Sequence, residues 1–244
     1  MLPLYGNIDI EKLQKKELEK LKKVMSKHVS PRSIRAYFRK IKALLRAYYG
    51  PSRLHEMPQI PKITVPRKQQ EYYSTKEAEK LVETTKGTSD ELFVRLFVLF
   101  GCRLAELRSL HHADINVFSK RMIIRHNFTI EKLTTTRKND KSRPEVVLPL
   151  DDETIRLYLE HKARPRRFTK GQKFVFESRS KQIDHLTDSS ARNIIRRVCK
   201  SAGVKYKATH SFRRGLGTEL QDETSPSTRA ALLGDSEAVV LKNY

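Results

Sequence analysis

The chain has 244 residues, with 50 Lys and Arg against 28 Asp and Glu, for a formal net charge of +22. That length allows one large domain or two modest ones and is enough to bury a core. No apolar run reaches the roughly 18 to 20 residues of a spanning helix, and the first residues lack a signal peptide's basic start and apolar core. Two cysteines, Cys102 and Cys199, make no disulfide framework and suit a reducing cytoplasm. Acidic and basic residues are interspersed, so the positive field is spread over a folded chain. Such a field favours a polyanion, nucleic acid first and an anionic membrane surface second.

Residues 10–28 read as a charged helix with a narrow apolar stripe of Ile10, Leu13, Leu18, Leu21, Val24 and Met25. Ser30 and Pro31 start a second helix by the N-cap and proline rule, and Gly50-Pro51 stops it. Ile34, Tyr37, Phe38, Ile41, Leu44, Leu45 and Tyr48 form its expected core face, while Arg35, Arg39 and Lys42 sit on a side suited equally to solvent and to DNA phosphates. Together 1–50 read as a partial helical, DNA-clamping region. The proline-rich stretch 51–72 reads as an extended linker. Ser74 to Glu77 is a capping box that opens a second domain, 73–244.

In that domain ELFVRLFVLF, residues 91–100, is the most apolar stretch and predicts a buried helix. Gly101 follows, then Arg103 to Leu107 resumes a helical pattern. An arginine there is costly unless partnered, and Glu106, one turn on, can pair with it or aim it at a ligand. MIIRH at 122–126 and EVVLPL at 145–150 predict a β-hairpin with a long basic tip. A helix from about Asp152 to His161 comes next. KFVFES at 173–178 is ambiguous between strand and loop. Thr187 to Ser201 reads as a helix ended by Gly203, with Arg192, Arg196 and Arg197 on its surface.

The last 37 residues hold His210 and Arg213, one helical turn apart at a helix start, so both can face one point. Ser225 caps a following helix with Pro226 at its first position and Gly234 past its end; Ser236 caps a terminal helix carrying Tyr244. Two cations, a phenol and helix N-termini are together suited to holding a phosphate.

Four segments, GCRLAELRSL, TRKNDKSR, HSFRRGLGTEL and LLGDSEAVVLKNY, occur in the order and with the terminal spacing of the tyrosine recombinases. The chain resembles that family, the phage-type and archaeal integrases and Xer-type recombinases, well over 73–244. Residues 10–49 resemble the last two helices of its core-binding domain, so the chain looks like a fragment or a short form. The resemblance implies a mainly α fold with a small antiparallel sheet (α+β). It also implies a mobile element, virus or plasmid, of an archaeon or bacterium, and a protein of the cytoplasm and nucleoid. The partner would be double-stranded DNA, with self-association as a synaptic tetramer in the full-length form and no membrane.

The implied chemistry is metal-independent cleavage and rejoining of DNA, with no cofactor. Tyr244 is the nucleophile that forms a 3′-phosphotyrosyl link. Arg103 and Arg213 hold the non-bridging oxygens, a task for planar guanidiniums. Lys138, or failing it Lys141, protonates the 5′ oxygen. His210 hydrogen-bonds the phosphate or moves the tyrosine proton. Glu106 orients Arg103. Arg196, Arg197 and Arg214 join Arg35, Arg39 and Lys42 as DNA contacts. No His, Cys or carboxylate cluster has metal-ligand spacing. Asp235 stands where the family has His or Trp; being acidic, it is expected to turn from the phosphate and hold the terminal helix. Two other classes share these residues: a type IB topoisomerase-like enzyme, and a DNA-binding protein with an impaired site.

Overall fold

The structure, a computed structural model, describes residues 9–66, 71–129, 132–134, 145–164, 173–178, 182–234 and 237–243. The chain divides into two compact units, 1–69 and 70–244. In the first, a 3-10 turn at Ile10–Lys12 precedes helix α1 (Lys15–Ser26). The helix expected over 10–28 is thus broken. Gln14 is extended and its N–H donates to the Glu17 carboxylate at 3.0 Å, which starts a new helix there.

Helix α2 (Pro31–Tyr49) is bounded as its caps dictate. The Ser30 hydroxyl accepts from the Ser33 N–H at 3.3 Å, Pro31 opens the helix, and Gly50 has φ 62°. Its buried stripe of Ile34, Phe38, Ile41, Leu45 and Tyr49 packs against Leu18 and Leu21 of α1, a narrower stripe than expected, for Tyr37, Leu44 and Tyr48 are exposed beside it. Met57, Ile60 and Ile63 add to that core. The prolines keep 58–66 without regular structure, and Met57, Ile60 and Ile63 pack this part of the expected extended linker, 51–72, onto the helix pair.

The second unit opens with α3 (Thr75–Thr84), whose capping box is as expected: the Glu77 N–H donates to Ser74 Oγ at 3.3 Å, and the Ser74 N–H donates to the Glu77 carboxylate at 2.9 Å. Helix α4 (Glu91–Leu99) is buried nearly all round, as its composition requires. A short α5 (Leu104–Arg108) follows. The chain then forms β1 (Ile115–Asn116) and β2 (Arg121–Ile124), and β2 pairs antiparallel with β5 (Val146–Pro149) with Met122 opposite Leu148. The sheet order is β1-β2-β5. Between β2 and β5 lies a second small hairpin, β3 (Asn127–Thr129) with β4 (Lys132–Thr134). The expected hairpin is therefore present, and part of what was read as its basic tip is itself a ribbon.

Between helices α6 (Asp152–Ala163) and α7 (Asp188–Ser201) in the chain lies a buried segment, Phe174 to Phe176, with one bridging residue followed by a bend. This settles the ambiguity of KFVFES: a single bridge joins Phe174 to His111, and the Val175 N–H donates to the Leu110 carbonyl at 2.8 Å. Helices α8 (His210–Glu219), α9 (Pro226–Leu233) and α10 (Glu237–Asn243) end the chain. The domain core joins α3 to α8 through Leu81, Phe93, Phe97, Leu107, Ile195 and Phe212. Among the described residues no helix is long and apolar enough to cross a membrane.

Candidate active site

Helix α8 is fixed from its inner face. Phe212 stacks on Tyr73 with ring centroids 4.0 Å apart and meets Phe97 edge-on at 4.9 Å. Burying such a ring contributes about 1.5–3 kcal/mol. The Lys207 N–H donates to the Tyr73 hydroxyl at 2.6 Å just before the helix begins. At Gly215 the backbone of Tyr73 crosses so closely that an added Cβ would lie 2.2 Å from the Tyr73 carbonyl oxygen. No other residue fits that crossing, which sets the depth of α8 in the domain. With Phe212 turned inward, His210, Arg213 and Arg214 fall on neighbouring turns of the helix.

Arg213 is buried, at 4% exposure. Its Nη1 donates to the Gly101 carbonyl at 3.3 Å and its Nη2 to the Leu233 carbonyl. Both acceptors lie at helix C-termini, those of α4 and α9, where the backbone presents unpaired carbonyls and negative partial charge. A buried cation is thus held in a fixed direction. Gly101 makes this approach possible. It has φ 54°, and a Cβ there would sit 3.3 Å from Arg213 Cα and 3.1 Å from the Leu216 side chain.

Arg103 begins α5 two residues beyond Gly101. Its N–H donates to Glu106 Oε2 at 2.9 Å and its Nη1 to Glu106 Oε1 at 2.8 Å. Glu106 is 3% exposed and the Arg103 side chain 22%. One buried carboxylate therefore caps the helix and holds the guanidinium. The pairing expected of Glu106 is present, and the open part of Arg103 leaves room for a ligand.

His210 draws these pieces together. Its pKa lies below the ordinary 6.5, first through loss of solvent around the ring, then through the positive charges of Arg103, Arg213, Arg214 and Arg192. The residue as a whole stays exposed, so we give the surrounding charge the greater weight. The charge of these four guanidiniums disfavours protonation of the imidazole, and such a field repels cations and attracts a phosphate. Arg192 belongs to this group and was read from sequence only as surface charge. It bonds Asp188 at 2.6 Å on its own helix and leans 3.4 Å from the Thr209 hydroxyl. Lys138, Lys141, Asp235 and Tyr244 lie outside the described residues. The helix that leads to Tyr244 is present, and Gly234 ends α9 in the left-handed conformation the sequence called for.

The DNA-contact candidates divide. Arg35, Arg39 and Lys42 are exposed along one side of α2 and have no ion pair among the described residues. Arg197 is paired with Asp90, and Arg196 donates to Asn193 at 2.9 Å and lies over the Tyr206 ring. Sequence reasoning also missed Arg108. It is 3% exposed, with Nε donating to the Leu186 carbonyl at 2.7 Å and the guanidinium over Phe128. No motif marks it; only its place on the inner side of a five-residue helix does. Contrary to the spacing argument, His111, Asp114 and His126 come together as a group able to hold a metal ion. The antiparallel turn between β1 and β2, which spacing does not reveal, unites them.

The family model for the phage integrase family matches residues 71–240. Among solved structures, one of the Tn1549 transposon integrase with a circular intermediate DNA has a TM-score of 0.78 at 15% identity, covering 98% of this chain and 83% of that one. The XerH site-specific recombinase bound to its difH substrate scores 0.68 at 16% identity, covering 98% and 70%. The XerA recombinase scores 0.57 at 19% identity, covering 98% and 81%. No curated protein sequence matches the chain. These structures share the fold, and the family match spans well over half of the sequence: the chain belongs to the phage integrase family.

Proposed function

We propose a division of labour for the site-specific DNA strand transfer that this tyrosine recombinase carries out. Arg103 and Arg213 take the two non-bridging oxygens of the scissile phosphate, and their charge acts on the phosphorane as it forms. Tyr244 attacks phosphorus in line. Its Oη–P bond forms as the P–O5′ bond breaks, which leaves a 3′-phosphotyrosyl enzyme. The phenolic proton passes to neutral His210 or to water, and Lys138 gives a proton to the departing 5′ oxygen. Rejoining reverses each transfer. Glu106 fixes Arg103 without touching DNA, and Arg192 and Arg214 deepen the positive field. Asp235, just beyond Gly234, holds the terminal helix.

The observation that carries this reading is the rigid holding of two guanidiniums, Arg103 by buried Glu106 and buried Arg213 by the Gly101 and Leu233 carbonyls, with His210 one helical turn from Arg213. Arg35, Arg39 and Lys42 supply distributed phosphate contacts, and two DNA sites are brought together by a tetramer of chains. XerH and the Tn1549 integrase, solved with DNA, support the partner.

A nicked suicide substrate tests it. Once cut, the short 5′-hydroxyl strand diffuses away and the covalent adduct accumulates. We expect an adduct mapping to Tyr244 and none from Tyr244→Phe, which still binds DNA. An adduct of normal yield in that variant would remove Tyr244 from the role, and the absence of any adduct from the wild type would sink the enzyme reading.

A further inference from the structure

His111, Asp114 and His126 sit at the root of the β3–β4 hairpin and take no part in the Arg103–Glu106 pairing or the holding of Arg213. The register of β1 on β2 pairs Ile115 with Met122. Continued by four residues, it sets His126 opposite His111, and their rings stand 4.3 Å apart. Asp114 closes the 3-10 turn His112–Asp114, is 3% exposed, and accepts from the His111 N–H through Oδ2 at 2.9 Å. Each residue offers one ligand atom, and the three atoms lie within 4.8 Å of one another.

The histidines leave something unexplained. His111 Nε2 and His126 Nδ1 are shut off from solvent and have no hydrogen-bond partner among the described residues. Buried polar atoms are normally satisfied, and leaving one without a partner is costly. The rival explanation is an ion-pair network in which both imidazoles are protonated around Asp114. His126 Nδ1 does come within 3.6 Å of Asp114 Oδ2. That network would crowd two imidazolium ions at stacking distance around Asp114, with Arg125 as a third cation that Asp114 shares with Glu145, 3.8 Å from the Arg125 Nε. Arg125 Nε stands 3.0 Å from Asp114 Oδ1, yet it makes no hydrogen bond, and its side chain is 38% exposed. It can swing to solvent.

Two neutral imidazoles and one carboxylate instead match the donor set of a zinc-type ion, with water in the fourth position. Metal–ligand bonds of about 2.1 Å place tetrahedral ligands about 3.4 Å apart. The group therefore needs to contract by on the order of an ångström. We propose that His111, Asp114 and His126 bind one divalent transition-metal ion of the zinc type. It acts as a structural clip that ties the loop after α5 to the end of β2, and it takes no part in strand transfer. The stretch with Lys138 and Lys141 begins one small hairpin beyond His126, so the clip steadies the base from which those lysines extend.

The test uses the full chain, stripped of metal and titrated with Co2+ and then Zn2+. One Co2+ per chain should give the intense visible band of a four-coordinate site, and Zn2+ should quench it by displacement. At a hundredfold excess of free Zn2+ over its Kd the melting temperature should rise by about 5–10 °C. The His111→Gln/His126→Gln double variant should lose both the band and the shift. Arg125→Gln, which keeps all three ligands and removes the competing cation, should bind at least as tightly as wild type. In the wild type itself, the ring-nitrogen NMR signals of His111 and His126 should move on Zn2+ addition, a readout that needs no variant. The proposal is overturned by a wild type without a stoichiometric Co2+ band, by a band that survives in the double variant, or by Zn2+ that shifts other histidines and leaves these two unmoved.

Discussion

The cations of α8 and those of α2 carry the same charge and are held in opposite ways. Arg213 is buried and aimed by carbonyls at the ends of α4 and α9, and Arg103 is gripped by a carboxylate that is itself buried. Arg35, Arg39 and Lys42 are exposed and have no acidic partner among the described residues. Fixed guanidiniums cost desolvation and suit a charge that appears only in the transition state. Loose ones cost nothing to hold and suit the standing charge of a DNA backbone. Under the proposed division of labour, one region governs rate and the other affinity.

The comparison breaks most sharply at Arg213. Arg213→Ala should slow single-turnover cleavage by at least ~100-fold, the loss typical of one such donor. Arg213→Lys should recover little, since Lys offers a point charge without a fork. A lysine variant that cleaves at the wild-type rate would show that the fixed, planar geometry is irrelevant. Glu106→Ala comes next. It leaves Arg103 charged but without the carboxylate that orients it, and a misplacement on the order of 1 Å costs up to ~100-fold. Rates measured against DNA affinity decide this one: cleavage should fall while binding stays within a factor of a few.

His210 sharpens the comparison through pH. Its folded pKa lies below 6.5, so the neutral ring is favoured by folding. The stability linked to it is complete above the unfolded value and is lost as pH falls from there through the lowered folded pKa. NMR titration of the free protein should find the His210 midpoint below the ordinary 6.5, and Arg214→Ala should bring it back toward that value. An upward shift in the wild type would contradict the convergence of positive charge around the ring.

Much of this was legible because it is local. Ser30, Ser74, Ser225 and Gly234 cap helices where the sequence says they must, and the hydrophobic run 91–100 is the buried α4. Arg103, Glu106, His210 and Arg213 could be named because their spacing of three is one helical turn. What escaped is non-local. Arg108 is buried by α7 and by Phe128 from a strand, Lys207 is paired with Glu77 across the domain, and His126 reaches His111 only through strand register. The break at Gln14 and the packing of Met57, Ile60 and Ile63 depend equally on neighbours that no short window contains.

On the other side of the comparison, Arg35→Ala, Arg39→Ala and Lys42→Ala should each weaken DNA binding a few-fold and lower the salt slope by about one for each phosphate left without its cation. Arg197→Ala should do less than any of them, because Arg197 is already paired with Asp90. Titrations at two salt concentrations check both. A larger effect at Arg197 than at Arg39 would reverse the assignment of free and occupied cations.

The most direct test puts Arg213→Ala and Arg39→Ala on one suicide substrate, measuring Kd and saturating single-turnover rate for each. We expect a crossed result, in which Arg213→Ala binds within a few-fold of wild type and cleaves at least ~100-fold more slowly. Arg39→Ala should bind more weakly, with a reduced salt slope, and cleave at the wild-type rate once saturated. If both variants lose rate and affinity in the same proportion, the division between fixed and loose cations is wrong.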